Sequence, residues 1–392
     1  MTESGAPPAN HAPASLPRTV PAGSVRYLRW AATITVLCYT AGYAAIGFGL
    51  LLIGVVWCLG RYRRLLWQPS PLDLPLVGFG LVLFASAAVS PFRALALGVT
   101  LMLVISGVVY FGSFAWLLHH DSHARQRLLI AWALGAVPAA LVAVGESVFM
   151  HVRAQIPRGV GPNGLGTTLL LGSLLGLGLA LRKRRTDRWL WAACALLCLG
   201  GLIATESRAS LAGWAVGGVY LAWEALRARP LRMAAALAGG ALGLAAVVAM
   251  TPPLVGRIQS TVPDVSGNRV RIWRTSLSMI AAHPLLGTGF GTFERAYSRV
   301  KGPDMSPEPF AFNLWLNLAV ETGLPGLVAA LTIAGTAVRV WRRGRGGPPD
   351  PMRPIISALW AGLLVDQFAD NTLFSISTSA APWFLLALVI PK

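Results

Sequence analysis

Charged residues are scarce in this chain, and acidic residues are the scarcest among them. Charged residues make up 12% of the 392 residues, with 15 Asp and Glu against 33 Lys and Arg, whereas a soluble domain carries roughly 25%. Hydrophobic residues make up 55%, and the mean hydropathy is +0.61. This composition excludes a soluble globular domain and predicts an all-α polytopic membrane protein, since each span takes roughly 20 apolar residues.

Cysteine is also rare, and its placement argues against two kinds of site. Cys38, Cys58, Cys194 and Cys198 all lie in apolar runs, where cysteine behaves as a small hydrophobic residue. Cys194 and Cys198 are one helical turn apart, but no His or acid accompanies them, so neither a metal site nor a disulfide is expected. Residues 1–24 contain no apolar run, and we expect a disordered cytoplasmic tail there rather than a signal peptide.

Basic residues set the expected orientation, because short cytoplasmic loops collect Lys and Arg. Most of them, including Arg29, Arg125 and Arg127, fall in clusters between apolar stretches. If these clusters are cytoplasmic, each apolar stretch holds an even number of spans. The chain then divides into about 12 helices with both termini in the cytoplasm, so that residues 25–392 form one transmembrane domain. The expected spans are residues 25–44, 45–60, 74–90, 95–118, 128–149, 164–181, 189–204, 211–226, 233–251, 312–338, 355–370 and 374–390.

The remaining basic residues face outward in this topology, and they concentrate in a long polar loop, residues 252–312. Positive charge on the outer side runs against the orientation rule, so its clustering there predicts a bound anion. The guanidinium fork of arginine grips phosphate oxygens in two places at once. Interfacial snorkelling suffices for isolated arginines such as Arg93 and Arg153. The arginines expected to bind a diphosphate are Arg158, Arg208, Arg269, Arg271 and Arg274.

These arginines lie in three outer segments. Arg158 belongs to a Gly- and Pro-rich loop that leads into a helix, whose N-terminus offers free backbone donors to an anion, and Arg208 lies in a short turn between two helices. Residues 267–280 predict a short amphipathic helix. Its expected apolar face consists of Val270, Trp273, Leu277 and Ile280. Such a helix can alternatively just lie on anionic lipid headgroups.

A glycine-rich loop follows this helix. Gly287, Gly289 and Gly291 fall within five residues, which indicates tight turns or close backbone approach. No strand precedes them, so they are not a nucleotide-binding signature. The chain re-enters apolar sequence through Asn313, Glu321 and Gly323.

Here the sequence resembles the O-antigen ligase and polymerase superfamily. The resemblance is carried by Arg269, Trp273, residues 283–293 and residues 312–326, with further matching outer positions at residues 158–163 and 207–208. It implies a GT-C-like membrane glycosyltransferase of lipopolysaccharide biosynthesis. This enzyme would work at the periplasmic side of the bacterial cell inner membrane, among membrane lipids.

The resemblance also implies the reaction. The donor would be a glycan on undecaprenyl diphosphate, and the acceptor would be a sugar hydroxyl on lipid A-core in a ligase, or another lipid-linked repeat unit in an O-antigen or exopolysaccharide polymerase. Transfer would be inverting and would need no metal or other cofactor, because fixed arginines can stabilise the diphosphate leaving group. No nucleic-acid partner is expected, since most of the positive charge is an orientation signal.

The expected catalytic positions are Phe312, Asn313 and Glu321, and the expected loop-shaping residues are Gly287, Gly289, Gly291 and Gly323. The ligases that this chain resembles place a histidine directly before the position of Asn313, where this chain has Phe312. Phenylalanine cannot accept a proton, so another group must serve as the base, or the chain is not a standard ligase. Glu321, two helical turns beyond Asn313, is a candidate; alternatively, it holds an arginine or caps a neighbouring loop.

Other acids and other functions stay open at this stage. Glu146, Asp366 and Asp370 lie near the outer ends of apolar helices, where acids are functional candidates or structural partners of the outward arginines. His283 and the acids of the outer loop are expected to have structural or solvated roles. The competing class is a lipid-linked oligosaccharide transporter, but no internal repeat supports it. A membrane-bound scaffold would not require the glycine-rich loop.

Overall fold

The computed structural model describes residues 22–62, 67–150, 153–154, 161–182, 185–229, 231, 238–239, 266–344, 350–373 and 380–390. Every regular element within these residues is a helix. Arg158, most of the tail predicted at residues 1–24, nearly all of the span predicted at residues 233–251 and the start of the loop at residues 252–312 lie outside the described residues.

Thirteen helices are formed by the residues that the structure describes. They are α1 (Ala22–Thr40), α2 (Ala44–Tyr62), α3 (Asp73–Val89), α4 (Arg93–His120), α5 (Ala124–Phe149), α6 (Pro162–Arg182), α7 (Arg185–Ala204), α8 (Arg208–Leu226), α9 (Ser266–Ala282), α10 (Phe293–Val300), α11 (Leu314–Arg343), α12 (Arg353–Phe368) and α13 (Ala380–Leu388). Each predicted span outside 233–251 coincides with one of them, although α13 covers only part of residues 374–390.

Five of these helices are long and apolar enough to cross a membrane. They are α4, α5, α6, α11 and the part of α7 from Asp187 to Ala204. The helices also expose large apolar side chains such as Ile53, Leu81, Leu141 and Leu196, which water would disfavour and lipid would accommodate. The helical architecture is therefore that of a polytopic membrane protein, as predicted. The count of 12 spans and the placement of the outer loop stay predictions.

Helix α6 lies at the centre of the described bundle, and most of its residues are buried. One small polar residue ties it to two neighbours: Ser173 Oγ donates to the carbonyl oxygen of Ala195 in α7 at 2.9 Å and accepts from Trp214 Nε1 in α8 at 2.9 Å. Polar bonds of this kind hold helices together where lipid offers no alternative partner. The bundle core therefore fixes the relative positions of α6, α7 and α8.

The two ends of the bundle carry different chemistry. The 28 residues of α4 rise by about 42 Å, enough to cross a membrane. Just beyond the last residue of α4, Asp121 forms ion pairs of 2.9 Å with Arg29 and with Arg127, and Arg125 pairs with Asp350. These arginines belong to the clusters predicted to be cytoplasmic. The opposite end, called the site end below, brings together the first residues of α6, α8, α9 and α11 and the last residues of α12.

The amphipathic helix predicted in the outer loop is present as α9, but its predicted apolar face was only half right, since Trp273 and Ile280 pack against the buried cluster and the other two residues do not. Ile272 and Met279 are buried against α10 and α11, whereas Val270 and Leu277 are exposed. The buried face includes Ser276, whose hydroxyl donates to the carbonyl oxygen of Ile272 at 2.8 Å. This local bond lets a polar residue occupy the tight contact, and the apolar pattern alone does not reveal it.

Candidate functional site

Asp366 joins three helices at the site end. Its Oδ1 accepts a hydrogen bond from Ser210 Oγ in α8 at 2.7 Å. Its Oδ2 accepts from Thr167 Oγ1 in α6 at 2.8 Å and from the neighbouring Gln367 Nε2 at 2.8 Å. The carboxyl group is buried, and buried polar groups are stabilising only when they are bonded in this way. Asp366 is therefore a structural junction of α6, α8 and α12.

Replacing Asp366 by alanine should destabilise the protein by about 3 kcal/mol, because each buried donor left without a partner costs roughly 1–3 kcal/mol. The measurement is the thermal unfolding of the purified protein in detergent. Asp187→Ala is the matched control, since Asp187 is exposed in the first turn of α7. An Asp366→Ala protein as stable as this control would show that the junction does not hold the helices together.

Arg153 reaches the site end from the segment before α6. Its Nε donates to the carbonyl oxygen of Thr205 at 2.7 Å, and its Nη2 donates to Asn163 Oδ1 at 2.8 Å. The guanidinium group is thus fixed between the end of α7 and the start of α6. It also acts electrostatically on Asp370, just beyond α12.

Arg269 approaches the same place from α9. Its Nη1 donates to the carbonyl oxygen of Ala369 at 3.0 Å, and its guanidinium carbon lies 5.2 Å from the centre of the Phe312 ring. Burial lowers the pKa of Arg269; the charge of Asp370 raises it, and the charge of Arg208, the first residue of α8, lowers it further. We call Arg153, Arg208 and Arg269 the arginine cluster.

Asp370 lies among these groups. It is buried, and its Oδ1 accepts from the backbone nitrogen of Asn371 at 2.8 Å. Burial raises its pKa to about 7, assisted by repulsion from Asp366 and opposed by the charges of Arg269 and Arg153. Among the described residues, its Oδ2 has no hydrogen-bond partner. A buried acceptor without a donor is costly, and this oxygen can accept a further hydrogen bond.

Positive charge gathers at the site end. The guanidinium groups of Arg153, Arg208 and Arg269 come from three separate segments; Arg153 and Arg269 act electrostatically on Asp370, and Arg208 acts on Arg269. Like charges held together in a partly buried place repel one another. A bound anion would relieve this repulsion.

Asn313 and Phe312 border the arginine cluster at the start of α11. Asn313 caps this helix, since its Oδ1 accepts from the backbone nitrogen of Leu316 at 3.0 Å, while its Nδ2 donates to the carbonyl oxygen of Phe368 at 2.9 Å. Phe312 has a φ of 51°, which is uncommon outside glycine. The position where the resembling ligases have histidine therefore lies directly beside Arg269.

Glu321 has a different environment from the arginine cluster. It is 4% exposed, and its Oε1 accepts from the backbone nitrogen of Phe293 at 2.9 Å, at the start of α10. Glu321 therefore caps the start of α10, and capping was one of the roles that the sequence left open for it. Glu321 also lies about 12 Å along α11 from Asn313, at 1.5 Å per residue. We infer that it positions α10.

The glycine-rich loop packs across a kink in α11. The kink is at Gly323, whose φ of 69° and ψ of −175° lie in a region almost confined to glycine. Backbone bonds of 2.8 to 3.0 Å join the loop to the helix, from Thr288 to Val320, from Gly289 to Glu321 and from Leu324 to Pro284. Gly287, Gly289 and Gly291 have positive φ values of 61°, 107° and 74°. The loop therefore depends on its glycines for its path.

Comparison with known proteins bears on this geometry. Residues 193–331 match the protein-family model described as O-antigen ligase. The resemblance to the O-antigen ligase and polymerase superfamily is confirmed. The match supports a membrane enzyme of ligase or polymerase type. No curated protein matches the chain.

The region that matches the O-antigen ligase family contains part of the site. Arg208, Arg269, Phe312, Asn313 and Glu321 lie inside it, whereas Arg153, Asp366 and Asp370 lie outside. The structure brings the two groups together where Arg153 bonds Thr205 and where α8 and α9 bond residues at the end of α12.

Two of the predicted arginines are not brought to the cluster. Arg271 and Arg274 are exposed, and at about 100° per residue they lie roughly 160° and 140° around α9 from Arg269. Arg271 instead acts electrostatically on Tyr297 in α10. Among the described residues, no three His, Cys, Asp or Glu side chains are grouped as a metal ion would require.

The sequence indicates only an interfacial position for Arg153 and leaves the role of Asp370 open. In the sequence Arg153 is an isolated arginine at the expected end of a span. Its position along the chain does not indicate its bonds to Asn163 and Thr205. The available signal for Asp370 is its place one helical turn beyond Asp366, near arginines predicted to face outward. That signal does not show that Asp366, and not Asp370, is the acid bonded by the hydroxyl groups of Thr167 and Ser210.

Proposed function

We propose that this protein is a membrane glycosyltransferase that transfers a glycan from undecaprenyl diphosphate to a sugar hydroxyl of lipid A-core, at the periplasmic face of the inner membrane. The observation that carries the proposal is the arginine cluster. Its guanidinium groups come from three segments, and Arg153 and Arg269 are held by backbone or side-chain acceptors. The two members Arg208 and Arg269 belong to the region that matches the O-antigen ligase family.

A diphosphate fits this cluster in charge and in hydrogen bonding. Guanidinium groups donate to phosphate oxygens in pairs, and the negative charge of a diphosphate is attracted by the arginine cluster. Because Arg153 and Arg269 are already fixed, they need little reorganisation when charge develops on the leaving group. They can thus stabilise the breaking bond without a metal ion.

The lipid part of the donor needs an apolar path beside the cluster. A cavity of about 100 Å³ is lined mostly by apolar side chains of α3, α11, α12 and α13. Leu314 and Gln367 take part in this lining; the first follows Asn313 and the second follows Asp366. We propose that the first isoprene units of the donor occupy this cavity, which would place the diphosphate at the site end.

We propose that transfer is inverting, as the family resemblance implies. The acceptor hydroxyl oxygen attacks the anomeric carbon from the face opposite the diphosphate, and the bond to the diphosphate oxygen breaks with its electron pair. The arginine cluster holds the departing charge. A base near the acceptor must take the hydroxyl proton.

One observation favours polymerisation as the second candidate function. Phe312 occupies the position of the histidine that is present in the ligases this chain resembles. A polymerase would use the same diphosphate site and a lipid-linked repeat unit as acceptor. A transporter would also bind the diphosphate, but it would form no glycosidic bond.

Deleting the gene in its host and separating the surface glycans on a gel should distinguish these functions. We expect lipid A-core without attached chains for a ligase, and lipid A-core with a single repeat unit for a polymerase. The purified protein in proteoliposomes, given undecaprenyl-diphosphate-linked glycan and lipid A-core, should then form the glycosidic bond. Unchanged surface glycans, or transport of the donor without bond formation, would contradict the proposal.

A further inference from the structure

Two neighbouring acceptors at the site end lack donors. Asp370 Oδ2 and Asn371 Oδ1 are buried without hydrogen-bond partners among the described residues. Both residues lie in the segment that follows α12, next to Ala369, whose carbonyl oxygen is bonded by Arg269 at 3.0 Å. Buried acceptors are normally satisfied, and hydroxyl groups of a sugar are donors of the right kind.

Four other residues considered for this role are engaged or unable to take a proton. Phe312 has no basic atom, and both the oxygen and the nitrogen of the Asn313 side-chain amide are already bonded. Glu321 accepts from the start of α10. Asp366 accepts from hydroxyl and amide donors of three residues. Asp370 alone among these groups combines an acidic side chain with an oxygen that has no partner.

Asp370 also lies in the right place relative to the position of the family's histidine. The Arg269 guanidinium carbon lies 5.2 Å from the centre of the Phe312 ring. The same group donates to the carbonyl oxygen of Ala369, the residue before Asp370. Asp370 and Phe312 therefore both lie near one guanidinium group, and a base at either position would lie beside the proposed diphosphate site.

We propose that Asp370 is the general base of the transfer reaction, with Asn371 orienting the acceptor sugar, in the role that the resembling ligases give to histidine. This inference rests on the proposed glycan transfer. The Asp370 carboxylate takes the proton of the acceptor hydroxyl while the oxygen forms its bond to the anomeric carbon. The diphosphate leaves with the electron pair, and the carboxyl proton is later released to solvent.

The charges around Asp370 fit this role. Arg269 from α9 and Arg153 from the segment before α6 favour its ionised form, whereas burial and Asp366 from α12 disfavour it, so that its pKa is raised to about 7. Arg208 from α8 acts on Arg269 in turn. A base is most effective when its pKa lies near the working pH. Transfer should therefore decline as the pH falls through about 7 and the carboxylate becomes protonated.

The test uses the full-length protein in proteoliposomes with undecaprenyl-diphosphate-linked glycan and the acceptor identified for the parent protein. Asp370→Asn should lower kcat by roughly 10²- to 10⁴-fold, with a donor KM within a few-fold of the parent value and with the pH inflection lost. Asp370→Glu should keep most of the activity and shift the inflection. Adding Phe312→His to Asp370→Asn should restore transfer at least tenfold over Asp370→Asn.

Several outcomes would overturn the inference. Transfer by Asp370→Asn within tenfold of the parent would do so, as would an unshifted inflection in Asp370→Glu. The Glu variant keeps the test decisive if Asp370→Asn does not fold. Failure of the proposed function is read separately, from the parent protein: a parent that forms no glycosidic bond from the lipid-linked donor contradicts the function whatever the variants do.

Discussion

Replacing Arg269 by alanine should abolish glycan transfer, with a loss of roughly 10³-fold or more in kcat, while the protein still folds. The guanidinium group is held by the carbonyl oxygen of Ala369 and lies over the Phe312 ring, so it is fixed where the diphosphate charge would develop. Loss of one such fixed donor costs roughly 10² to 10³ in rate. Loss of a full charge from a partly buried cluster should cost at least as much.

Three further variants make this result specific. Arg269→Lys keeps the charge but loses the planar fork, and it should fall between the parent and Arg269→Ala. Arg274→Ala, on another face of α9, should reduce transfer far less. Arg339→Ala, exposed near the other end of α11, should leave transfer unchanged. Equal losses for Arg269→Ala and Arg274→Ala would show that the whole helix, and not the cluster, binds the donor.

The helices were predictable because a membrane span must satisfy its backbone hydrogen bonds internally, which makes it a long apolar run. The boundaries of α3, α5 and α8 agree with the predicted spans to within a few residues. The buried face of α9 was not predictable in the same way, because the polar Ser276 lies on it and satisfies its own hydroxyl group. Which face of an interfacial helix is buried depends on such local hydrogen bonds as much as on the spacing of its apolar residues.

The site was predictable only in part. Charge clustering pointed to Arg208 and Arg269, and the resemblance pointed to Phe312 and Asn313, because these signals lie in local sequence. The approach of Arg153 to Asp370 depends on how α6 and α12 pack. No spacing along the chain records that packing.

The kink in α11 at Gly323 is the basis of a second prediction. Gly323 has a backbone conformation almost confined to glycine, and side chains there are strained by about 1–3 kcal/mol. A β-carbon at Gly323 would also lie 2.5 Å from the carbonyl carbon of Leu285, so the glycine-rich loop would have to move. Such overpacking costs roughly 1–3 kcal/mol more.

Replacing Gly323 by alanine should therefore destabilise the protein by about 4 kcal/mol, from these two contributions together, and should lower transfer because the loop and α10 shift.

Gly287→Ala should act in the same direction, since its β-carbon would lie 2.4 Å from the carbonyl carbon of Glu321. Gly335→Ala is the matched control in the same helix, because no atom lies within 4 Å of its β-carbon position. It should leave stability within about 1 kcal/mol of the parent or raise it, as alanine favours helix over glycine. Thermal unfolding in detergent measures each effect. Equal stability of the Gly323 and Gly335 variants would contradict the prediction, because residue 323 could then change its backbone conformation without displacing the loop beside Glu321.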